Sequence, residues 1–275
     1  MNAFSTKNFL AYESCMTSKS LDEAMESLHY DTGDGCKYHP VFVILLNCKT
    51  TFDKIAGKLV KGQMYWHAAI SFGPSLSSVY SFNFGEAEAN KLKGGLSYES
   101  LAFYQREHPT GEMYVGCIFL TQYRYKKMKA VLNHYIENKK KTKYSFSNLL
   151  FQFFNKNKES KTGLDKVCST FVDTLLKSVD VNLNDRPTDL VKPDHLREGN
   201  EMQIKIYEGP ISGYDPMKAA KLVEKMANDK SYSYFKRTSS QHSKSGQKKI
   251  RRIMNKINHR IHISYSVVFI VIDYL

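Results

Sequence analysis

The sequence predicts an α+β domain in which an antiparallel sheet packs against a helix that carries a cysteine in its first turn. Three observations lead there. Val41 to Leu46 (VFVILL) is a continuous apolar run of strand length, the pattern of a strand buried on both faces. Trp66 to Phe72 and Ser78 to Phe84 read as two more strands, joined by Gly73-Pro74-Ser75-Leu76-Ser77, whose residues suit a hairpin loop. Lys166 to Val179 sets Val167, Phe171, Val172, Leu175, Leu176 and Val179 on one helical face, with Cys168 near its start.

The remaining elements follow in chain order. Residues 1–40 mix Ser, Asp, Gly and Lys around a weak helical stretch, Leu21 to Leu28, and read as an N-terminal extension draped on the core. Thr51 to Leu59 is a short helix after a turn. Gly94-Gly95 breaks the chain, and Met113 to Leu120 (MYVGCIFL) is a fourth strand. Thr121 stands where an N-cap belongs; Tyr125, Met128, Val131, Leu132 and Tyr135 follow at helical spacing, and that helix ends near Lys139-Lys140-Lys141. Phe146 to Phe154 is a second apolar helix and Pro187 to Pro193 a loop. Met202, Ile204 and Ile206 alternate as a last strand. These elements bound a domain at residues 41–208. Residues 209–235 hold a surface helix, Pro216 to Asn228, and residues 236–275 form a basic tail with a short apolar end.

Composition narrows the classes. With 42% hydrophobic and 13% aromatic residues, the 275-residue chain has the means to pack an interior. Five cysteines, at 15, 36, 48, 117 and 168, form no close pair and an odd total, so reduced thiols are expected rather than a disulfide framework. The first residues lack a charged start followed by an apolar core, so no signal peptide is expected. No run reaches the roughly 20 apolar residues of a spanning helix. Cytoplasm is the expected setting, and the family resemblance described below adds the interior of a phage virion.

The formal charge is +13, with a pI near 9.3. Between Lys236 and His262 stand nine Lys or Arg and no Asp or Glu, so much of the excess belongs to the tail. Residues 236–262 are open to three readings: a solvated segment, a binder of nucleic acid or another anionic polymer, and a membrane-surface helix with Ile250, Ile253, Met254 and Ile257 on one face. Ile263 to Ile272 is β-branched and expected to pair with a sheet edge or a partner chain.

The chemistry-bearing candidates are Cys168 and His67. A thiol in the first turn of a helix, with Asp165 as the cap, feels the partial positive charge of the N-terminus, which favours thiolate. His67 is a polar imidazole on a strand otherwise made of Trp66, Ala68, Ala69, Ile70 and Phe72, and needs a partner. The neighbouring strand offers Ser81 and Asn83. Nucleophile, base and orienting group would then come from three elements, as a thiolate–imidazolium mechanism requires. Cys36-Lys37-Tyr38-His39 has too few ligands for a zinc site, and no Gly-rich phosphate loop is present, so no metal or cofactor is expected.

Trp66-His67-Ala68-Ala69-Ile70-Ser71-Phe72, followed by Val79-Tyr80-Ser81-Phe82, resembles the histidine hairpin of permuted papain-like proteins. These belong to the NlpC-related superfamily, with its lecithin:retinol acyltransferase-like branch. Val167-Cys168-Ser169-Thr170-Phe171-Val172 resembles the nucleophile helix of that family, and Pro187 through Leu196 (PTDLVKPDHL) the proline-containing loop after it. His67 precedes Cys168 by 101 residues, the permuted order. The resemblance implies Cys168 as nucleophile, His67 as base and Ser81, with Asn83 as fallback, as orienting residue. It also implies Tyr144 as a residue lining the site. The implied activity is a thiol hydrolase cleaving an amide or isopeptide bond, with peptidoglycan-type peptides as substrates. The alternatives are a lipid acyltransferase or thioesterase of the same fold, and an inactive virion-associated structural or binding protein.

Overall fold

Lys37–Asn47 forms an eleven-residue strand that is the spine of the molecule. The computed structural model describes residues 30–31, 37–50, 53, 62–83, 94–145, 149, 164–197 and 203–228. The spine strand is β2, after a two-residue β1, Tyr30–Asp31. The strands β3 (His67–Ser71), β4 (Val79–Asn83), β5 (Gly95–Glu99), β6 (Glu112–Thr121) and β9 (Ile204–Pro210) complete an antiparallel sheet in the order β5-β4-β3-β2-β6-β9, with β1 pairing on β2. A second pair, β7 (Lys143–Tyr144) and β8 (Asp165–Lys166), is parallel. Among the described residues there are four α-helices: α1 (Leu101–Glu107), α2 (Gln122–Glu137), α3 (Cys168–Lys177) and α4 (Pro216–Asn228). The architecture is α+β.

The continuous apolar run predicts burial on both faces, and Val41 to Leu46 are all fully buried. Val41, Val43 and Leu45 share one core with Ala68, Ile70, Phe82, Leu96 and Ile118 of the neighbouring strands. Met128 and Leu132 of α2 and Phe171, Val172 and Leu175 of α3 close over that face. The alternate residues Phe42, Ile44 and Leu46 pair with Ser71, Ala69 and His67 on one side and with Cys117, Val115 and Met113 on the other. They too are fully buried.

The hairpin joining β3 to β4 holds Leu76 at φ 51°, a left-handed backbone that costs strain in a non-glycine residue. Its side chain is buried in return, and its carbonyl accepts from the Leu101 N–H at 2.8 Å, tying the hairpin to α1.

Thr121 caps α2, its hydroxyl accepting from the Arg124 N–H at 3.4 Å. The cysteine helix differs from expectation at its start. It begins at Cys168 rather than Lys166, because Asp165 and Lys166 are taken up in β8. Asp165 is therefore not its cap. Val167 takes the N-cap position without a side-chain bond to the helix, and the Thr170 hydroxyl accepts from its N–H at 3.0 Å.

The described elements continue past residue 208. β9 runs to Pro210, and α4 packs against it with Ala219, Ala220 and Val223 buried. The segment expected as a surface helix is thus amphipathic and seals part of the core.

The expected helices at Leu21–Leu28, at Thr51–Leu59 apart from Asp53, and at Phe146–Phe154 apart from Leu149 lie outside the described residues, as does the basic tail. No helix among the described residues is long and apolar enough to cross a membrane.

Candidate active site

Cys168 takes the first position of α3, where its backbone N–H has no acceptor within the helix. The side chain is almost fully buried, and Sγ lies 4.0 Å from the carbonyl oxygen of Trp66. That peptide is held in place. Trp66 N–H donates to the Leu46 carbonyl at 2.8 Å, and the Asp194 carboxylate accepts from the N–H groups of Met64 and Tyr65 at 2.6 and 2.9 Å. Asp194 belongs to the proline-containing loop, and Ser169 anchors the same loop by donating to the Val191 carbonyl at 2.5 Å. The loop therefore braces the cysteine helix and the entry to the histidine strand together.

His67 opens β3 opposite Leu46, its side chain 16% exposed. Cys168 is near enough to raise the pKa of its ring. Nε2 lies 3.3 Å from Oε2 of Glu99, so Nδ1 is the ring nitrogen that the carboxylate does not engage. Glu99 is the last residue of β5, and its side chain is 2% exposed.

A buried carboxylate is costly unless donors surround it. Glu99 has them. Oε1 contacts Ser81 Oγ at 2.9 Å, Asn83 Nδ2 at 2.9 Å and Ser97 Oγ at 2.8 Å, while Oε2 receives the Tyr104 hydroxyl as well as His67. The Ser81 and Ser97 hydroxyls also meet at 2.8 Å, so two hydroxyl protons are shared among three contacts.

The electrostatics follow. Burial alone would push the His67 pKa down, but the Glu99 charge and the contacts with Cys168 and Glu99 outweigh it and raise it to about 10. For Glu99, burial would raise the pKa. The imidazolium and the hydrogen bonds from His67, Tyr104 and Ser97 overcome that and hold it at about 2. At neutral pH the pair is an imidazolium and a carboxylate.

Tyr144 is a neighbour of the same cysteine. β7 pairs Tyr144 with Lys166, two residues before Cys168, which brings the phenol within electrostatic reach of it. Burial first, then the neighbouring cysteine, raises the Tyr144 pKa well above its ordinary value, so the phenol keeps its proton.

No family model, curated protein or solved structure matches this chain.

The geometry thus brings together three of the residues singled out by sequence, Cys168, His67 and Tyr144. It separates the fourth from its expected contact. Ser81, fully buried, donates to Glu99 and not to His67, and Asn83 does the same; the carboxylate occupies the place beside the imidazole. Glu99 and Tyr104 are the residues sequence reasoning missed. The signal was the alternation Leu96-Ser97-Tyr98-Glu99 after Gly94-Gly95, with Ser100 as an N-cap before Leu101: a strand that passes directly into a helix.

The other cysteines differ in setting. Cys117 lies fully buried in β6, where burial pushes its thiol pKa far up, against a smaller opposing effect of a hydrogen bond with the Val41 backbone. Cys48 is half-buried. Cys15 and Cys36 lie outside the described residues. Among the described residues no three His, Cys, Asp or Glu side chains are grouped to hold a metal ion. His39 is engaged with Gln122 and stacked on Tyr125.

Proposed function

We propose that residues 30–228 form a thiol hydrolase of the permuted papain-like type, cleaving an amide or isopeptide bond, with peptidoglycan-type peptides as the substrate class. The observation that supports this reading is that α3, β3 and β5 bring Cys168, His67 and Glu99 into one neighbourhood, with the His67 ring bonded to Glu99 at 3.3 Å and its pKa raised by both partners. Cys168 sulfur, as thiolate, attacks the carbonyl carbon, and the C–O π electrons move to oxygen. The Cys168 N–H and the Tyr144 hydroxyl donate to that oxyanion. The C–N bond breaks as the His67 imidazolium gives its proton to the leaving amine. Neutral His67 then takes a proton from water, whose oxygen attacks the acyl carbon. Breaking the C–S bond releases the acid and restores the thiolate beside the imidazolium.

Glu99 favours turnover over a purely structural role for the fold. A relic would gain stability by replacing a buried ion pair with apolar side chains of similar volume, whereas here five donors are spent on one carboxylate. The lipid acyltransferase reading shares the same chemistry and differs only in the acyl donor.

The test is thiol reactivity at pH 6, where ordinary thiols are protonated. Iodoacetamide should label Cys168 before Cys48 and Cys117, and His67→Ala should slow that labelling about tenfold or more. Mass spectrometry showing Cys48 labelled while Cys168 stays silent would overturn the reading. Release of amine from peptidoglycan-type peptides, lost in Cys168→Ala, would separate peptide hydrolysis from lipid acyl transfer.

A further inference from the structure

Tyr104 lies outside the residues that touch a reacting atom, yet it is nearly fully buried and its hydroxyl is spent on Glu99 Oε2, the oxygen that faces His67. We propose that Tyr104 is a positioning residue, whose phenol holds the Glu99 carboxylate against His67 and keeps it ionised there. The lone pairs of the two carboxylate oxygens decide this. Ser81, Asn83 and Ser97 crowd Oε1, so that oxygen has no room for a further partner. Oε2 has two partners, and the imidazole contact, at 3.3 Å, is the longer one. Without the phenol, Oε2 would be held by that long contact alone, and the carboxylate could turn or take a proton.

The fold supplies Tyr104 for this purpose with little slack. Ser100 follows Glu99 directly and caps α1, its hydroxyl accepting from the Phe103 N–H at 3.2 Å. One turn of helix later, the Tyr104 side chain returns to the carboxylate, five residues along the chain. Among the described residues the titratable groups that act on the His67–Glu99 pair are Cys168 from α3 and Tyr104 from α1, with Tyr144 from β7 beside the cysteine. Only Tyr104 of these touches the carboxylate. Ser81 and Asn83 from β4 and Ser97 from β5 complete the surround without a titratable group.

Tyr104 acts on catalysis only if Cys168 and His67 act as proposed, so the experiment reads the two separately. The His67 ring is titrated by NMR in the full chain, in the wild type, Tyr104→Phe and Ser97→Ala. Tyr104→Phe should lower the imidazole midpoint by about one unit or more, because the carboxylate opposing it is held less firmly. Ser97→Ala, which removes one of three donors from the crowded oxygen, should lower it by less. Should Tyr104→Phe fail to fold, Tyr104→Leu, which also lacks the hydroxyl, is titrated in its place. A variant without the Tyr104 hydroxyl that titrates at the wild-type midpoint would overturn the proposal. In parallel, iodoacetamide labelling of Cys168 in wild type and His67→Ala tests the thiol chemistry itself. Labelling indifferent to His67, with the midpoint still moved by Tyr104→Phe, would sink the chemistry and leave the positioning intact.

Discussion

Glu99 and His67 hold opposite charges inside the protein, and their titration makes stability depend on pH in a defined window. The His67 pKa is raised, from 6.5 to about 10, so its contribution is complete below about 6.5 and is lost as pH climbs toward 10. The Glu99 pKa is lowered, from 4.5 to about 2, so its contribution is complete above about 4.5 and is lost as pH falls toward 2. The stability difference between wild type and Glu99→Gln, measured by urea denaturation across pH, should therefore be greatest between about 4.5 and 6.5 and shrink on both sides. A difference that does not vary with pH would mean the pair is not charged in the folded state. At neutral pH, Glu99→Ala should cost about 3–5 kcal/mol, since it strands the imidazolium and several donors without an acceptor.

Elements position this pair, and one glycine sets how closely they approach. A Cβ on Gly95 would lie 2.8 Å from both the carbonyl oxygen and the hydroxyl oxygen of Thr142. Backbone there cannot give way cheaply, so Gly95→Ala should push β5 from the 142–144 segment at a cost of about 1–3 kcal/mol. The same substitution should slow Cys168 labelling, because Gly94 accepts the Tyr144 N–H at 2.8 Å and Glu99 ends β5. Normal labelling with normal thermal stability would show that the strand has slack. The histidine hairpin and the cysteine helix were legible in sequence because apolar periodicity and turn residues announce them locally. β5 was not. It follows Gly94-Gly95, which reads as a break, and only two of its residues, Leu96 and Tyr98, are large and apolar, with Tyr98 about half exposed. The third partner of the site was hidden for the same reason: a glutamate at a strand end looks like any surface carboxylate until β4 and α1 fold around it. Asp165 misled in the opposite way, as a good capping residue that a short parallel pair had already claimed.

At the scale of the whole molecule, the sheet and its covering helices extend to Asn228. A chain truncated after residue 212 should lose the cover of Ala219, Ala220 and Val223, and also the Tyr214 hydroxyl bond to the Pro74 carbonyl at 2.7 Å. Its melting temperature should fall well below that of a chain ending at 228; equal values would place α4 outside the cooperative unit. The positive charge is distributed more widely than the tail alone. Lys126, Lys127, Lys139, Lys140, Lys141 and Lys143 are exposed along and after α2, with Glu137 the one acid between 122 and 144. Deleting residues 236–275 should weaken retention on heparin steeply with salt but leave a remainder. Lys139→Gln, Lys140→Gln and Lys141→Gln together should remove that remainder, and unchanged retention in the truncated triple variant would locate the polyanion surface elsewhere. The sheet order has one more consequence. Among the described residues β5, which carries Glu99, is the last strand on its side of the sheet and pairs there with β4 alone. End strands open more readily than central ones, and such an opening need not disturb β2 or α3. A molecule with β5 detached would keep Cys168 and His67 in place while lacking the carboxylate beside the imidazole. The fraction of time the proposed Cys168–His67–Glu99 set is complete is then set by the fraying of one five-residue strand, and amide exchange along Gly95–Glu99 would measure that duty cycle directly.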